Sequence, residues 1–194
     1  MTQAIINNAA AISFDREGTF AVSASQSRRI KYSRKGPIQS GATVQMNVVQ
    51  PSVYRAIFGA IEAGKLGPYT LQFPTEAVGP RFASTVSVRG AGQSGNTIVI
   101  DTAPGFQESI VAGTIVKFAN VRGSYVIVAD AQVTSSGVSV TLDQPLLESP
   151  VDNAIVTAGA DIEFPMYLIE RPRASQGPTG LVNHDGSFVF VEEL

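Results

Sequence analysis

A glycine-rich string, a lone histidine and a run of positive charge are the places where this sequence could do chemistry. Gly90-Ala91-Gly92-Gln93-Ser94-Gly95 matches GxGxxG and follows a strand-like apolar run. A dinucleotide site on that pattern needs a helix immediately afterwards, whose first amides hold the pyrophosphate. Thr97-Ile98-Val99-Ile100 follows instead, so the glycines are expected to form a hairpin loop. The same residues miss a GxSxG nucleophile elbow because position 96 is Asn. His184 is the only histidine and lies in Asn183-His184-Asp185-Gly186, a turn-forming string. A Ser-His-Asp site would need His184 as its base, and nothing nearby in sequence favours that. Without cysteine and with one histidine, a transition-metal site would have to be built from carboxylates, and the acids are scattered singly. Sequence leaves open whether two of them meet in space as a glycosidase pair would. No catalytic residue, cofactor or metal ligand is assigned, and the chain is not expected to be an enzyme.

Arg28, Arg29, Lys31, Arg34 and Lys35 put five positive charges into eight residues. Single-stranded nucleic acid would want aromatic platforms between them, and only Tyr32 qualifies. Two readings stay open: a solvated strand edge protected by charge, or a contact to acidic groups on a neighbouring subunit. Glu192 and Glu193, or an acidic inner part of the chain, could supply the opposite charge. Phe118 and Tyr125 are the best candidates for an aromatic ligand platform.

The elements that must position these residues are mostly strands. Alternation marks 27–34 and 42–50, with the Lys35-Gly36-Pro37 stretch and Ser40-Gly41 as the expected loop of a hairpin between them. Pro51 suits the first position of a helix running to Gly64, with Val53, Ile57 and Ile61 on its apolar face. A strand at 69–73 ends at Pro74. Short strands follow near 84–89, 96–102, 114–119, 124–130, 137–142 and 154–158, with a hairpin cue at Ser135-Ser136-Gly137. Alternation returns at 162–169 and at 187–193, whereas 171–186, rich in Pro, Gly, Ser and Asn, reads as a long mobile or interfacial loop.

Charge follows the same division. Residues 84–163 hold eight acids against three bases, while the remainder is net basic. One β module is therefore expected inside another, with 1–83 and 164–194 forming an outer domain and 84–163 an inner one. Charged residues make up only 15% of the 194, which favours buried or subunit-facing surface over a highly solvated exterior. The absence of cysteine permits a reducing compartment. No signal-peptide core and no apolar run near the ~18 residues of a membrane span is present, so no direct membrane insertion is expected.

This order of elements resembles the distal tail proteins of long-tailed bacteriophages. The likeness is carried by the basic strand, the helix at 51–64, the Tyr69-to-Phe73 strand, the inner module and the final Glu-Glu-Leu strand. Locally it rests on Val86-Ser87-Val88-Arg89-Gly90, Gly95-Asn96-Thr97-Ile98-Val99-Ile100, and Ala112-Gly113-Thr114-Ile115-Val116-Lys117-Phe118 with Tyr125-Val126-Ile127-Val128. The resemblance implies a mainly β fold: a tail-tube-like β-sandwich domain with one helix, plus an inserted OB-like small β-barrel. It implies a hexameric ring that joins the tail tube protein to the tail-tip hub protein, with DNA only in transit through the lumen. Such a protein is a structural part of the virion, made in the host bacterial cytoplasm. A tail-tube or head-completion protein, or an OB-type carbohydrate-binding module, is the alternative.

Overall fold

The computed structural model describes residues 3–24, 30–63, 68–83, 85–102, 110–131 and 137–193. The fold is mainly β. In chain order it comprises α1 (Gln3–Asn7), β1 (Ala9–Ala24), β2 (Ile30–Met46), α2 (Pro51–Ala63), β3 (Tyr69–Leu71), α3 (Thr75–Val78), β4 (Val86–Val88), β5 (Thr97–Thr102), β6 (Ile115–Phe118), β7 (Tyr125–Val126), β8 (Val138–Thr141), β9 (Ile155–Ala158), a 3-10 turn (Gly159–Asp161), β10 (Phe164–Glu170), β11 (Arg173–Gln176), β12 (Val182–Asp185) and β13 (Ser187–Glu192).

Strands from both ends of the chain make one antiparallel sheet, in the order β1-β2-β13-β10-β3. Period-two alternation decides which face is buried. Ile12 pairs with Val44, Phe14 with Ala42, and these with Phe188 and Phe190, so one face carries a continuous apolar surface. Ile5 and Ile6 of α1, Ile57 and Ile61 of α2, and Val78 of α3 pack on it. Phe14, Phe73 and Phe164 meet there with ring centroids 5.1 to 5.5 Å apart, two of the pairs in edge-to-face geometry. Helix α2 begins at Pro51 as the sequence predicts, and the Tyr69 hydroxyl donates to the Ile61 carbonyl at 2.8 Å, satisfying a group near the helix end that has no intrahelical partner.

The inner residues form a second sheet, β7-β6-β9-β4-β5-β8, with its own apolar core of Val86, Val88, Ile98, Ile100, Phe118 and their neighbours. The sheet curls until its two end strands meet. An isolated bridge joins Ile127 to Leu142, with Val128 N–H donating to Thr141 at 3.0 Å and Asp143 N–H to Val126 at 2.9 Å. The glycine string is the β4–β5 hairpin loop, as expected. Gln93 closes it, donating to the Arg89 carbonyl at 2.6 Å and accepting from Val99 N–H at 2.6 Å.

Two expectations need correction. Residues 27–34 and 42–50 are not the two arms of one hairpin: 30–46 is a single strand, and its partner is β1, which alternation had not singled out. The register passes from Gly18 opposite Ile38 to Phe20 opposite Arg34, so Lys35-Gly36-Pro37 forms a bulge inside the strand, not a turn. Residues 171–186 likewise hold a hairpin, β11–β12, pinned by paired backbone bonds between Val49 and Val182 at 2.9 and 3.0 Å. Polar, fully exposed β11 leaves no hydrophobic period from which to read a strand. The turn cue at Ser135-Ser136 lies outside the described residues.

The segments entering and leaving the curled sheet touch each other. Gly159 has φ +53°, and a Cβ there would lie 2.2 Å from the Gly79 carbonyl oxygen and 2.3 Å from that of Pro80. Gly159→Ala is expected to cost more than about 2 kcal/mol, because backbone must move. Gly92→Ala has a similar positive φ but open space, and should cost about 1 kcal/mol. Urea unfolding of both variants checks the difference.

Candidate functional site: a buried clamp and two open strand edges

The inward-facing positions of β2 and β13 change character along the strands. Ala42 and Val44, Phe188 and Phe190 are apolar, but the same faces continue as Ser40 and Glu192, both essentially without exposure. A buried carboxylate needs compensation. The curled sheet supplies it: the Ser124 hydroxyl donates to Glu192 Oε2 at 2.8 Å, and Lys117 Nζ lies 3.4 Å from Oε1. Oε1 has no hydrogen bond among the described residues, so the Lys117 charge is what balances it there. Lys117 also lies 5.9 Å from the Phe164 ring centroid. Ser40 and Ser124 share a hydrogen bond of 2.7 Å, and Gln39 Nε2 donates to the Glu192 carbonyl at 2.7 Å.

Further along the same face Arg16 of β1 pairs with Asp143 at 3.4 Å and donates to the Ser124 carbonyl. Asp143 also accepts from Val126 N–H at 2.9 Å. The Ile38 amide donates to Gln144 Oε1 at 2.8 Å, and Gln144 is itself buried. These groups form one polar clamp between the curled sheet and the five-stranded one. Sequence reading gave no site role to Arg16, Ser40, Lys117, Ser124, Asp143 or Gln144, and Ser40-Gly41, expected in a loop, lie inside β2 opposite Arg16 and Asp15. The available signal was a polar residue at the inward position of an apolar alternation, Ser40 after Ala42 and Glu192 after Phe190.

The expected interface residues separate. Glu192 is corrected: it is spent inside the chain on Lys117 and Ser124 and is not free for a neighbouring subunit. Glu193 is exposed and accepts from the Tyr167 hydroxyl at 3.0 Å, which raises the Tyr167 pKa. Arg28 and Arg29 lie outside the described residues, and for Lys31, Arg34 and Lys35 the backbone alone is described, on β2. Phe118 and Tyr125 are corrected as a ligand platform. They are core residues, 3% and 0% exposed, with ring centroids 5.6 Å apart, and a stacking platform needs an open ring face. Burial raises the Tyr125 pKa above its ordinary value, while its hydroxyl accepts from Leu147 N–H at 3.0 Å.

His184 stands on β12 beside Tyr54 and Phe188, with ring centroids 5.9 and 6.2 Å away. It lines a cleft of about 420 Å³ between α2 and the β11–β12 hairpin. Burial lowers the His184 pKa, with a smaller upward pull from the Asn47 backbone near the ring, although no contact to either ring nitrogen has full hydrogen-bond geometry among the described residues. Among the described residues no serine or carboxylate is hydrogen-bonded to it, and its ring contacts are aromatic. A larger cleft of about 620 Å³ lies beside β6, where Lys117 and Arg122 face Asp161 and Glu163. Arg122 is already held by Glu148 at 2.7 and 2.9 Å. Among the described residues no group of three metal-ligating side chains occurs.

Among the described residues, β1 and β3 are the end strands of the five-stranded sheet, and each is paired with one strand of it. Beyond Gly18 and Ile38, β1 and β2 pair only with each other among the described residues, making a two-stranded arm from Phe20–Arg34 to Ala24–Ile30. No family model and no curated protein matches the chain.

Lys117→Met should destabilise the protein by about 3 kcal/mol, because Glu192 stays buried without its counter-charge. Adding Glu192→Gln should recover part of that loss in urea unfolding. For His184, folding favours the neutral ring. Its contribution is therefore present above the ordinary pKa of 6.5 and is lost as pH falls below it. NMR titration should place the His184 midpoint below 6.5, and His184→Leu should reduce the loss of stability on acidification.

Proposed function

We propose that this protein is a structural component of a phage tail, a distal tail protein that closes into a ring, as its resemblance to that family suggests. The observation that carries the reading is that, among the described residues, the sheet's two end strands β1 and β3 each pair with one strand of it, with β1 running on into an arm. Two different edges on one protomer, one long and one short, suit a head-to-tail contact between copies. Such contacts repeat around a ring when the rotation closes. The end strands and basic arm then have a use: strand pairing and charge contacts between protomers replace the water that would otherwise solvate them.

In this reading six copies surround a channel between the tail tube and the tail-tip hub, and DNA passes through without being bound. The sheet face opposite the helices carries Ser13, Thr43 and Val189 together with the exposed acid Asp15, which accepts from the Ser13 hydroxyl at 2.9 Å, and a face with this acid suits a channel wall that does not hold the phosphate backbone. The curled inner module is a spacer fixed to the outside of the sheet. Its aromatic pair is consumed by its own core, which removes the main support for a carbohydrate-binding module.

Light scattering and negative-stain images of the purified chain should give closed six-fold rings at high concentration. The triple change Lys31→Glu, Arg34→Glu and Lys35→Glu should leave the melting temperature within a few degrees of wild type but shift the protein to monomer. A wild-type chain that stays monomeric alone and in the presence of tube and hub proteins would sink the ring reading.

A further inference from the structure

We propose that the β1–β2 arm and the curled inner sheet form one lever, coupled through the polar clamp at the arm's root. The placement of the clamp is the reason. Arg16 and Ile38 are among the last residues on the two strands before the register break at Gly18/Phe20, and both are held by the inner sheet. Arg16 reaches Asp143 and the Ser124 carbonyl, while the Ile38 amide is held by Gln144. Two positions nearer the sheet, Ser40 meets Ser124.

Beyond this point the arm has no other strand beside it among the described residues. β13 pairs with β2 only as far as Gly41. A lone two-stranded ribbon is marginal in water, so the arm's order depends on how firmly its base is fixed. The base is fixed by side chains belonging to the other module. Asp143 and Gln144 directly follow β8 and its Leu142 bridge, and Ser124 directly precedes β7, so the clamp sits at the seam where the curled sheet closes on itself. A shift of the arm's root therefore loads that seam, and a change at the seam frees the root. Coupling of this kind is reciprocal. A partner that grips the arm would be felt by the inner module, whose orientation on the sheet would follow.

Amide hydrogen exchange on the full-length chain tests this without assembly, so the outcome is independent of the ring reading. Gln144→Leu removes the acceptor for Ile38 and changes no arm residue. It should speed exchange at least tenfold in 20–24 and 30–34, while Ile98 and Ile100 in the inner core keep wild-type rates. Arg16→Gln should do the converse, speeding exchange at Tyr125, Val126 and Asp143. Asp143→Asn, which keeps the acceptor for Val126, is a milder variant should Gln144→Leu fail to fold. Arm amides that are unprotected in the wild type, arm exchange that does not respond, or a uniform rise that includes Ile98 and Ile100 would each overturn the coupling.

Discussion

The buried carboxylate of Glu192 is the constraint around which the rest of the structure is arranged. It occupies an inward position on β13, in the middle of the five-stranded sheet, where the periodic pattern calls for another apolar residue. Burying a charge there costs several kcal/mol unless an opposite charge and hydrogen bonds are supplied. Both come from the inner module, through Lys117 and Ser124. The sheet face is thus divided: three helices cover its apolar part, and the curled sheet covers its polar part. Removing one partner is far more costly than removing both, so the pair specifies how the two modules meet more than it adds to their stability.

Close packing at the crossing segments reinforces that fixed relation. Gly159 lies against the Gly79 and Pro80 carbonyls, leaving no room for a side chain. One apolar core is built from Val86, Ile98 and their neighbours, the other from Phe164, Phe190 and the helix residues, and Ile115 and Val126 of the curled sheet pack into this second core beside the polar contacts. Two cores joined by a polar seam give a molecule whose inner module is oriented and not loosely tethered. In the proposed ring, such orientation would let each copy present the same shape before any neighbour arrives.

Much of the fold was legible because its cores follow simple periods. The four-residue spacing of Ile57 and Ile61 gave the helix, and Phe164 with Met166 and Phe188 with Phe190 gave the two return strands. The glycine string was read correctly as a hairpin because a strand followed it. The failures share one cause. Lys35-Gly36-Pro37 has the composition of a turn, and only its partner strand shows that it is a bulge. Arg173–Gln176 is a strand with no buried side chain, held in place by its neighbour β12 and the bridge at Val49. Phe118 and Tyr125 are aromatic in sequence whether they face solvent or core, and burial alone separates a platform from packing.

By itself the sequence determined helix α2, the return strands and the glycine hairpin, the division into a basic outer and an acidic inner part, and the lack of thiolate chemistry. These depend on composition and on contacts between residues close along the chain. Tertiary structure decided which strand pairs with β2, which carboxylate is buried and which lysine compensates it. Lys117 and Glu192, or Ile38 and Gln144, lie far apart in sequence, and no local pattern encodes such a meeting. It arises only when two independently patterned faces are brought together and every buried charge and amide must find a partner.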